Sequence, residues 1–476
     1  MSLLRFTLFS ARIYHFILNF FIFLLLLRLV DPRNVHIWEL KSHSHYNHRV
    51  HNDGNHVSRP NPSINADYGL YNPYNITILD VLSFGAMGDG TSDDSKVAFL
   101  ATWAAACKVE SAIFEVPSEF RFLIGPLTFR GPCEPGLVLK IDGTIVAPSN
   151  LDDWPESGLF TWINFKFLQN FKVTGTGSID GQGSAWWDVP LFQSNQSVGN
   201  STNNPKMKPT AVRFYESFNL SIGDITIENS PSIHLKFDNC GGVLVTNLTV
   251  SSPGNSPNTD GIHLQNSQDV EVEYSSIACG DDCISIQTGC SNVCIHDVQC
   301  GPGHGISIGA LGKDNSLACV SNITVQNITL QDTAYGARIK TWQGGLGSVE
   351  SVFFSDIQVT NVKVPITIDQ FYCDKRVCHN QTDAVSVANV GFNRISGTFT
   401  SQAIHLACSD STPCIDISIG EVNLAPSAGV RKIKPTLCWN SYGEMQAPVF
   451  PTSIDCLETS NPFKMINKLN STQFTC

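Results

Sequence analysis

The chain has 476 residues, of which 42% are hydrophobic and 15% are charged. This composition is too apolar for a disordered protein, and the apolar residues are too evenly spread for a protein with many membrane spans. The 42 acidic residues outnumber the 30 Lys and Arg, and the net charge of −12 argues against nucleic acid as the main partner. A few local cations can still hold a polyanionic substrate against that overall field.

Residues 1–30 have the pattern of a leader. They contain Arg5, Arg12 and Arg28 and no acidic residue, and the run from Phe16 to Leu27 is apolar except for Asn19. This pattern predicts a secretory signal peptide. A retained signal anchor is the alternative, because the small-residue cleavage pattern is weak. The 16 Cys of the chain also favour an oxidising compartment, so we expect a secreted, extracellular protein.

Two further features of the sequence are a polar segment behind the leader and a set of candidate glycosylation sites. Residues 31–74 are rich in His, Asn and Pro, and we interpret them as a poorly ordered linker rather than a metal-binding tract, because no spacing fixes a coordination geometry. The catalytic domain would then span residues 75–476. Sites of the form Asn-x-Ser/Thr, which are candidates for glycosylation, occur at Asn75, Asn195, Asn200, Asn219, Asn247, Asn322, Asn327, Asn380 and Asn470.

One helix is predicted near the start of this domain. A strand-like run at residues 76–81 leads into a glycine-rich turn at 85–90, and no Gly-Lys-Ser/Thr follows that would make the turn a phosphate loop. Residues 91–107 then predict a helix with Thr91 or Ser92 as its cap and with Asp93 and Asp94 in its first turn. Its buried face is predicted to consist of Val97, Leu100, Ala101 and Ala104.

From about residue 137 onward the sequence repeats with a period of roughly 22 to 33 residues. Each unit opens with alternating apolar residues and continues to a second short strand, and turn residues separate the two. Because no helices intervene, the repeat excludes βαβ units and predicts an all-β solenoid of parallel strands, with the early helix capping its N-terminal end. An irregular β-sandwich is the alternative. The predicted opening pairs are Leu220/Ile222, Val243/Val245, Val270/Val272, Val293/Ile295, Ile323/Val325 and Val352/Phe354.

Polar residues recur at one position of the second strands. Ile262, Ile284 and Ile306 are spaced by 22 residues, and the residues two places before them are Asp260, Asp282 and His304. Stacked coils would bring these three side chains together, with Asp281 beside Asp282. Crowded carboxylates must raise one pKa or hold a cation, and a strand does not need them in order to fold, so this column indicates a functional site.

The column suits the hydrolysis of a glycosidic bond, which needs a protonated acid on one side of the bond and an ionised base on the other. One unit further on, Arg338 and Lys340 lie on alternate positions of a strand and therefore face the same side. Cations beside the acids favour a sugar that carries a carboxylate.

Four motifs together resemble the polygalacturonases of glycoside hydrolase family 28, and their flanking residues are similar to the plant members. The motifs are Asn258-Thr259-Asp260, Gly280-Asp281-Asp282, Gly303-His304-Gly305 and Arg338-Ile339-Lys340. The resemblance covers about residues 76–460. It implies a right-handed parallel β-helix, secretion to the cell wall, a monomer acting on pectic polysaccharide, inversion of configuration, and no metal or other cofactor.

The resemblance also implies roles for individual residues. Asp281 would be the general acid, Asp260 and Asp282 would hold and activate water, and His304 would support the protonation state of the acid. The remaining positions would bind substrate: Arg338, Lys340, Asn258 and Tyr372.

The cysteines are open to two interpretations. The spacing of Cys279, Cys283, Cys290 and Cys294 could form a zinc site, but disulfides or buried thiols are favoured in a secreted chain. The resemblance implies a Cys283–Cys300 disulfide, and nearness in sequence suggests Cys408–Cys414 and Cys438–Cys456.

Two other functions compete with hydrolysis. A calcium-dependent elimination of the same polymer would share the solenoid, but the few acids and the nearby His and Lys favour hydrolysis. A silent wall-binding protein would be indicated by loss of one of the acids, and all three are present.

Overall fold

The computed structural model describes residues 76–155, 161–188, 208–374, 377–452 and 454–458. The predicted leader and linker lie outside these residues, as do the glycosylation candidates Asn75, Asn195, Asn200 and Asn470. Within the described ranges, no helix is both long enough and apolar enough to cross a membrane.

The described residues form 31 strands, most of them short. The first half of the domain contains β1 (Ile78–Asp80), β2 (Asp89–Asp93), β3 (Ile113–Val116), β4 (Arg121–Leu123), β5 (Leu127–Arg130), β6 (Val138–Ile141), β7 (Thr144–Val146), β8 (Thr161–Lys166), β9 (Gln169–Thr174), β10 (Ser178–Asp180), β11 (Thr210–Tyr215), β12 (Phe218–Gly223), β13 (Thr226–Glu228), β14 (Leu235–Asp238), β15 (Gly241–Thr246) and β16 (Thr249–Ser251). The second half contains β17 (Ile262–Gln265), β18 (Gln268–Glu273), β19 (Ser276–Ala278), β20 (Ile284–Ile286), β21 (Cys290–Cys300), β22 (Ile306–Leu311), β23 (Leu317–Gln331), β24 (Tyr335–Trp342), β25 (Leu346–Val362), β26 (Val364–Tyr372), β27 (Ser386–Phe399), β28 (Ile404–Ala407), β29 (Cys414–Pro426), β30 (Leu437–Trp439) and β31 (Ser441–Phe450).

These strands build a parallel β-helix. They form a sheet of 20 strands and a sheet of 11 strands, and each coil from β3 to β30 contributes to both. The strands of each coil pair in parallel with those of the next coil. Ile262 therefore lies opposite Ile284, and Ile284 lies opposite Ile306, as the 22-residue spacing predicts. The alternative of a β-sandwich is therefore wrong.

The core lies inside the coil and is built from stacked apolar side chains. The opening residues of each repeat pair directly with the opening residues of the following repeat, and none of these residues is more than 2% exposed. Because side chains alternate along a strand, one residue points into the coil and its neighbour points out. The predicted ladder of Leu220, Val243, Val270, Val293, Ile323 and Val352 is thus confirmed.

The predicted helix is shorter than expected. Residues 89–93 belong to β2, a π-helical turn follows at Ser95–Phe99, and the α-helix α1 spans only Leu100–Ala106. The predicted caps are wrong, because the polar side chains order the preceding turn instead. Asp89 accepts hydrogen bonds from the Thr91 and Ser92 amides, and Asp94 accepts one from the Met87 amide.

The predicted buried face of this helix is also wrong. Val97 is 70% exposed, whereas Phe99 and Trp103 are almost fully buried. Trp103 packs at 4.7 Å from the Phe129 ring and Phe99 at 5.7 Å from the Phe114 ring, measured between centroids. Two large aromatic rings bury more apolar area than Val and Ala, so they decide which face turns inward.

Two very short helices, α2 (Ser184–Trp187) and α3 (Asp455–Glu458), also occur, along with 3₁₀ turns at Val81–Phe84, Leu151–Asp153 and Lys313–Asn315. Trp186 in α2 is buried against Trp154, with ring centroids 5.3 Å apart, so it covers the coil.

Polar residues stack at the corners between strands. Asn322 donates to Asn292 and Asn292 donates to Asp269, and all three have a φ near +55°. Asn tolerates this left-handed conformation, and its side chain continues the hydrogen-bonded ladder from coil to coil. Four glycosylation candidates occupy such corners and donate their amide to a neighbouring coil: Asn219, Asn247, Asn322 and Asn327.

Candidate active site

The acidic column forms where the chain enters the strands of the 11-stranded sheet. Asp260 precedes β17, the pair Asp281 and Asp282 precedes β20, and His304 precedes β22. The Gly261 amide donates to the Asp282 carbonyl at 3.0 Å, which joins the first two of these coils just before the sheet. A Cβ at Gly280 would lie 1.8 Å from the Ser256 carbonyl oxygen, so only glycine allows the backbones to approach this closely.

Asp282 is the buried centre of the site, with 2% of its surface exposed. Its carboxylate accepts hydrogen bonds from the Arg338 guanidinium, from Lys340 Nζ at 2.8 Å and from Ser307 Oγ at 2.8 Å. Burial alone would raise its pKa, but the charges of Arg338 and Lys340 outweigh burial and hold the pKa of Asp282 below its usual range. Asp282 is therefore ionised.

Arg338 and Lys340 lie on the outward face of β24, as predicted. The direct partner of Arg338 is Ser307, and Arg338 Nε donates to Ser307 Oγ at 2.8 Å. The side chains of both cations are less than 10% exposed. Their first role in the structure is thus to neutralise Asp282.

Asp281 is more exposed and contacts a different set of groups. His304 Nδ1 lies 2.8 Å from Asp281 Oδ1, and the Asp282 amide donates to the same oxygen at 3.0 Å. Asn258 Nδ2 donates to Asp281 Oδ2 at 3.3 Å. His304 and Asn258 thus both contact the carboxyl group of Asp281 directly.

Asp260 is held by two residues that the sequence interpretation did not place in the site. Ser285 Oγ donates to Asp260 Oδ2 at 2.9 Å, and His263 Nδ1 lies 3.2 Å from the same oxygen. Burial is the main cause that raises the pKa of Asp260, and the charges of Asp281 and Asp282 add to it. His234, in contrast, is structural: its ring contacts the Asp260 carbonyl and Ser252, and burial lowers its pKa to about 4.

The strand register could have identified the missed residues. His263, Ser285, Ser307 and Arg338 are successive direct partners across four coils. Each follows an inward-facing residue and therefore faces outward, on the side of the acids. In the sequence, these residues can be found by taking the position that directly follows each of the aligned apolar residues.

Tyr372 ends β26 on the far side of the cations. Its ring packs edge-on against Trp342 at 5.5 Å, and Lys340 Nζ lies 5.3 Å from its centroid. Burial raises the pKa of Tyr372 to about 12, so it is a neutral phenol.

The cysteines around the site form a disulfide and not the zinc set. Cys283 is bonded to Cys300, which ties together two neighbouring coils. Cys279 and Cys290 are buried thiols, and Cys294 is a half-buried thiol on another face. The suggested pairs Cys408–Cys414 and Cys438–Cys456 are present, together with Cys107–Cys133 and Cys373–Cys378.

The site is poorly suited to a metal ion, although Asp281, Asp282 and His304 each offer a ligand atom within 4.8 Å of the others. Both oxygens of Asp282 already face a cation, Arg338 on Oδ1 and Lys340 on Oδ2. A divalent ion there would meet two fixed positive charges at close range. The arrangement favours acid–base chemistry between carboxyl groups.

Comparison with known proteins agrees with this geometry. Residues 107–440 match the family described as Glycosyl hydrolases family 28. The chain belongs to this family. A polygalacturonase of Chamaecyparis obtusa is 43% identical over 380 residues, 79% of this chain and 72% of the relative. A polygalacturonase of Persea americana is 44% identical over 356 residues, 74% of this chain and 75% of the relative.

Among solved structures, a hyperthermoactive exopolygalacturonase from Thermotoga maritima superposes with a TM-score of 0.64 at 20% identity, covering 78% of this chain and 91% of that one. At this identity the likeness concerns the fold alone. Membership of family 28 confirms the resemblance that the four motifs predict, and the right-handed parallel β-helix is confirmed with it. The protein is therefore a glycoside hydrolase.

Proposed function

We propose that this family 28 enzyme hydrolyses the α-1,4-galacturonosyl linkages of pectin with inversion of configuration. The observation that carries the proposal is a cluster of three carboxyl groups whose environments differ. Asp282 is held ionised by Arg338 and Lys340, whereas burial raises the pKa of Asp260. Separation of pKa values between neighbouring acids is what general acid–base catalysis requires.

Asp281 is assigned as the general acid, which protonates the leaving oxygen. It is the most accessible of the three carboxyl groups, and the contacts from His304 and the Asp282 amide to its Oδ1 fix its orientation. His304 is then positioned to return a proton to Asp281 between turnovers.

Asp260 and Asp282 are assigned to the attacking water. Asp282 has a low proton affinity because of its two cations, so its part is to orient the water. Asp260 has the higher proton affinity and is the better proton acceptor, with Ser285 and His263 fixing its carboxylate.

Preference for an acidic sugar is attributed to the outward cations. Lys340 has three donors and Arg338 five, and only part of this capacity is directed at Asp282 and Ser307. On the other side of the acids, Lys236 is the direct partner of His263 on the same outward row, and Arg213 on the coil before it is paired with Asp238. A galacturonan would thus meet Arg338 and Lys340 on one side of the cleaved bond and Lys236 on the other. Asn258 and Tyr372 are assigned as further contacts to the sugar.

Secretion to the cell wall and action as a monomer belong to the same proposal. Five disulfides among the described residues favour an oxidising compartment. The acidic net charge disfavours nucleic acid as a partner.

The test is digestion of de-esterified polygalacturonan in excess chelator. We expect reducing ends without unsaturated products, and proton NMR of the first product should show the inverted β-anomer, since acid and base roughly 6.5–9.5 Å apart leave room for water. Unsaturated products that disappear with chelator would indicate elimination, and an initial α-anomer would indicate a covalent intermediate. Binding of the polymer without cleavage would indicate a silent wall protein.

A further inference from the structure

A second group of polar side chains lies on the outer face of the 20-stranded sheet, and we call it the outer cluster. It consists of Glu271 and Glu273 on β18 together with Cys294, His296 and Asp297 on β21. Glu271 is the direct partner of Cys294, and Glu273 is the direct partner of His296. The four residues alternate along their strands and therefore face the same side.

The donor atoms of this cluster converge. One ligand atom each from Glu271, Cys294 and His296 lies within 4.8 Å of the other two. His296 Nε2 is 3.1 Å from Glu271 Oε1 and 3.7 Å from Glu273 Oε2. Nitrogen and oxygen ligands of one tetrahedral zinc ion are about 3.3 Å apart at the usual bond lengths, which is close to both His296–carboxylate distances.

The imidazole is oriented as it is in metal sites. His296 Nδ1 lies 2.7 Å from Asp297 Oδ2, which directs Nε2 towards Glu271 and Glu273. Asp297 is itself fixed, because it occupies a corner with a φ of +55° and accepts a hydrogen bond from Asn327. A carboxylate on the far nitrogen of a ligating histidine is the usual supporting contact in zinc proteins.

The charges of the outer cluster are not balanced by its neighbours in the sheet. On the preceding coil Leu244 and Thr246 are the partners of Glu271 and Glu273, and on the following coil Thr324 and Gln326 are the partners of Cys294 and His296. None of these four carries a positive charge. Three carboxylates thus surround one imidazole, which can supply at most a single positive charge.

We propose that the outer cluster binds a zinc ion through Cys294, His296 and Glu271, with Glu273 completing the set and Asp297 positioning His296. A thiolate with an imidazole and carboxylates is a donor set that selects zinc over calcium or magnesium. Binding forms the Zn–S bond as the Cys294 thiol releases its proton to solvent. The ion joins two adjacent coils, and this site is independent of the proposed hydrolysis because it lies on the other sheet.

The test uses the purified full chain, first stripped with chelator and then titrated with Co²⁺ as a coloured probe for zinc. We expect one equivalent to give a thiolate-to-cobalt absorption band that Zn²⁺ removes and Ca²⁺ does not. Cys294→Ser should abolish the band, and the matched control Thr324→Ser, at the partner position on the next coil, should retain it. Both variants should retain polymer hydrolysis.

Two further measurements separate a built site from chance binding. Asp297→Asn should weaken Co²⁺ binding about 10- to 100-fold and keep the thiolate band, because it alters only the support of the imidazole. Zn²⁺ should protect Cys294 from maleimide labelling and raise the melting temperature of the wild type but not of Cys294→Ser. Co²⁺ binding without a thiolate band would show that the metal is not bound through Cys294 and would overturn the proposal. A band that persists in Cys294→Ser would overturn it as well.

Discussion

The acidic column of Asp260, Asp281 and Asp282 and the outer cluster are both groups of carboxylates on adjacent coils, and they differ in how their charge is balanced. In the column, Arg338 and Lys340 reach Asp282 from a later strand and are almost fully buried with it. In the outer cluster, Glu271 and Glu273 face His296, and the partner residues on both flanking coils are uncharged. This solenoid therefore groups acids in two ways. Lys and Arg side chains accompany the acids where proton transfer is proposed, whereas uncharged side chains flank them where a metal ion is proposed to bind.

The largest expected effect follows from replacing Asp281, the proposed general acid of the acidic column. Asp281→Asn keeps the shape of the side chain but cannot donate a proton, so turnover on polygalacturonan should fall by about two to four powers of ten. The unfolding transition should stay close to that of the wild type. The matched change Asp297→Asn in the outer cluster should leave turnover unchanged, and near-normal turnover of folded Asp281→Asn would remove its assignment as the acid.

The second effect concerns the buried charges. Asp282→Ala leaves Arg338 and Lys340 buried without their counter-charge, so the free energy of unfolding should fall by about 3–5 kcal/mol. Denaturant titration measures this loss. Glu271→Ala in the more exposed outer cluster serves as the control and should change stability far less. Equal losses in the two variants would show that built-in cations do not distinguish the two regions.

A smaller effect tests the second role of the cations. Lys340→Ala should lower kcat/KM on de-esterified polymer about 10- to 100-fold, since a charge-assisted hydrogen bond contributes about 1.5–3 kcal/mol. The loss should shrink as methyl esterification of the polymer rises, because the ester carries no charge. Arg338→Lys keeps the charge but loses the planar fork, so it should also reduce catalysis. Losses that do not depend on esterification would leave both residues as partners of Asp282 alone.

The smallest effect is the dependence of stability on pH, where Asp260 and Asp282 have opposite signs. The pKa of Asp260 is raised on folding, so its contribution to the free energy of unfolding should fall as pH rises from about 4 through the raised value. The pKa of Asp282 is lowered, so its contribution is present above about pH 4 and is lost as pH falls through the lowered value. Denaturant titrations of wild type and Asp260→Asn between pH 4 and 7 should diverge, with the wild type losing stability relative to the variant as pH rises. Parallel curves would contradict the raised pKa.

Repetition in the sequence was sufficient to predict most of the fold. Ile262, Ile284 and Ile306 could be aligned by their spacing alone, because inward-facing residues of a solenoid must recur once in every coil. The same alignment placed Asp260, Asp282 and His304 on adjacent coils, and the motifs around them predicted the family. The early helix was predicted less well, since a single amphipathic segment has no repeat to fix which of its faces is buried.

Tertiary structure alone decided the contacts made by outward-facing side chains. Strand alternation shows that Arg338 and Lys340 face outward, but the pairing of Ser307 with Arg338 determines that both cations reach Asp282. In the same way, the spacing of Cys294 to other cysteines suggests a shared site. In the structure, however, its side chain lies near Glu271 and His296, because Glu271 is its direct partner on the adjacent coil. The sequence by itself determines which residues recur and which way they face, whereas coil-to-coil register, a sum of many weak contacts along whole strands, decides which charges meet.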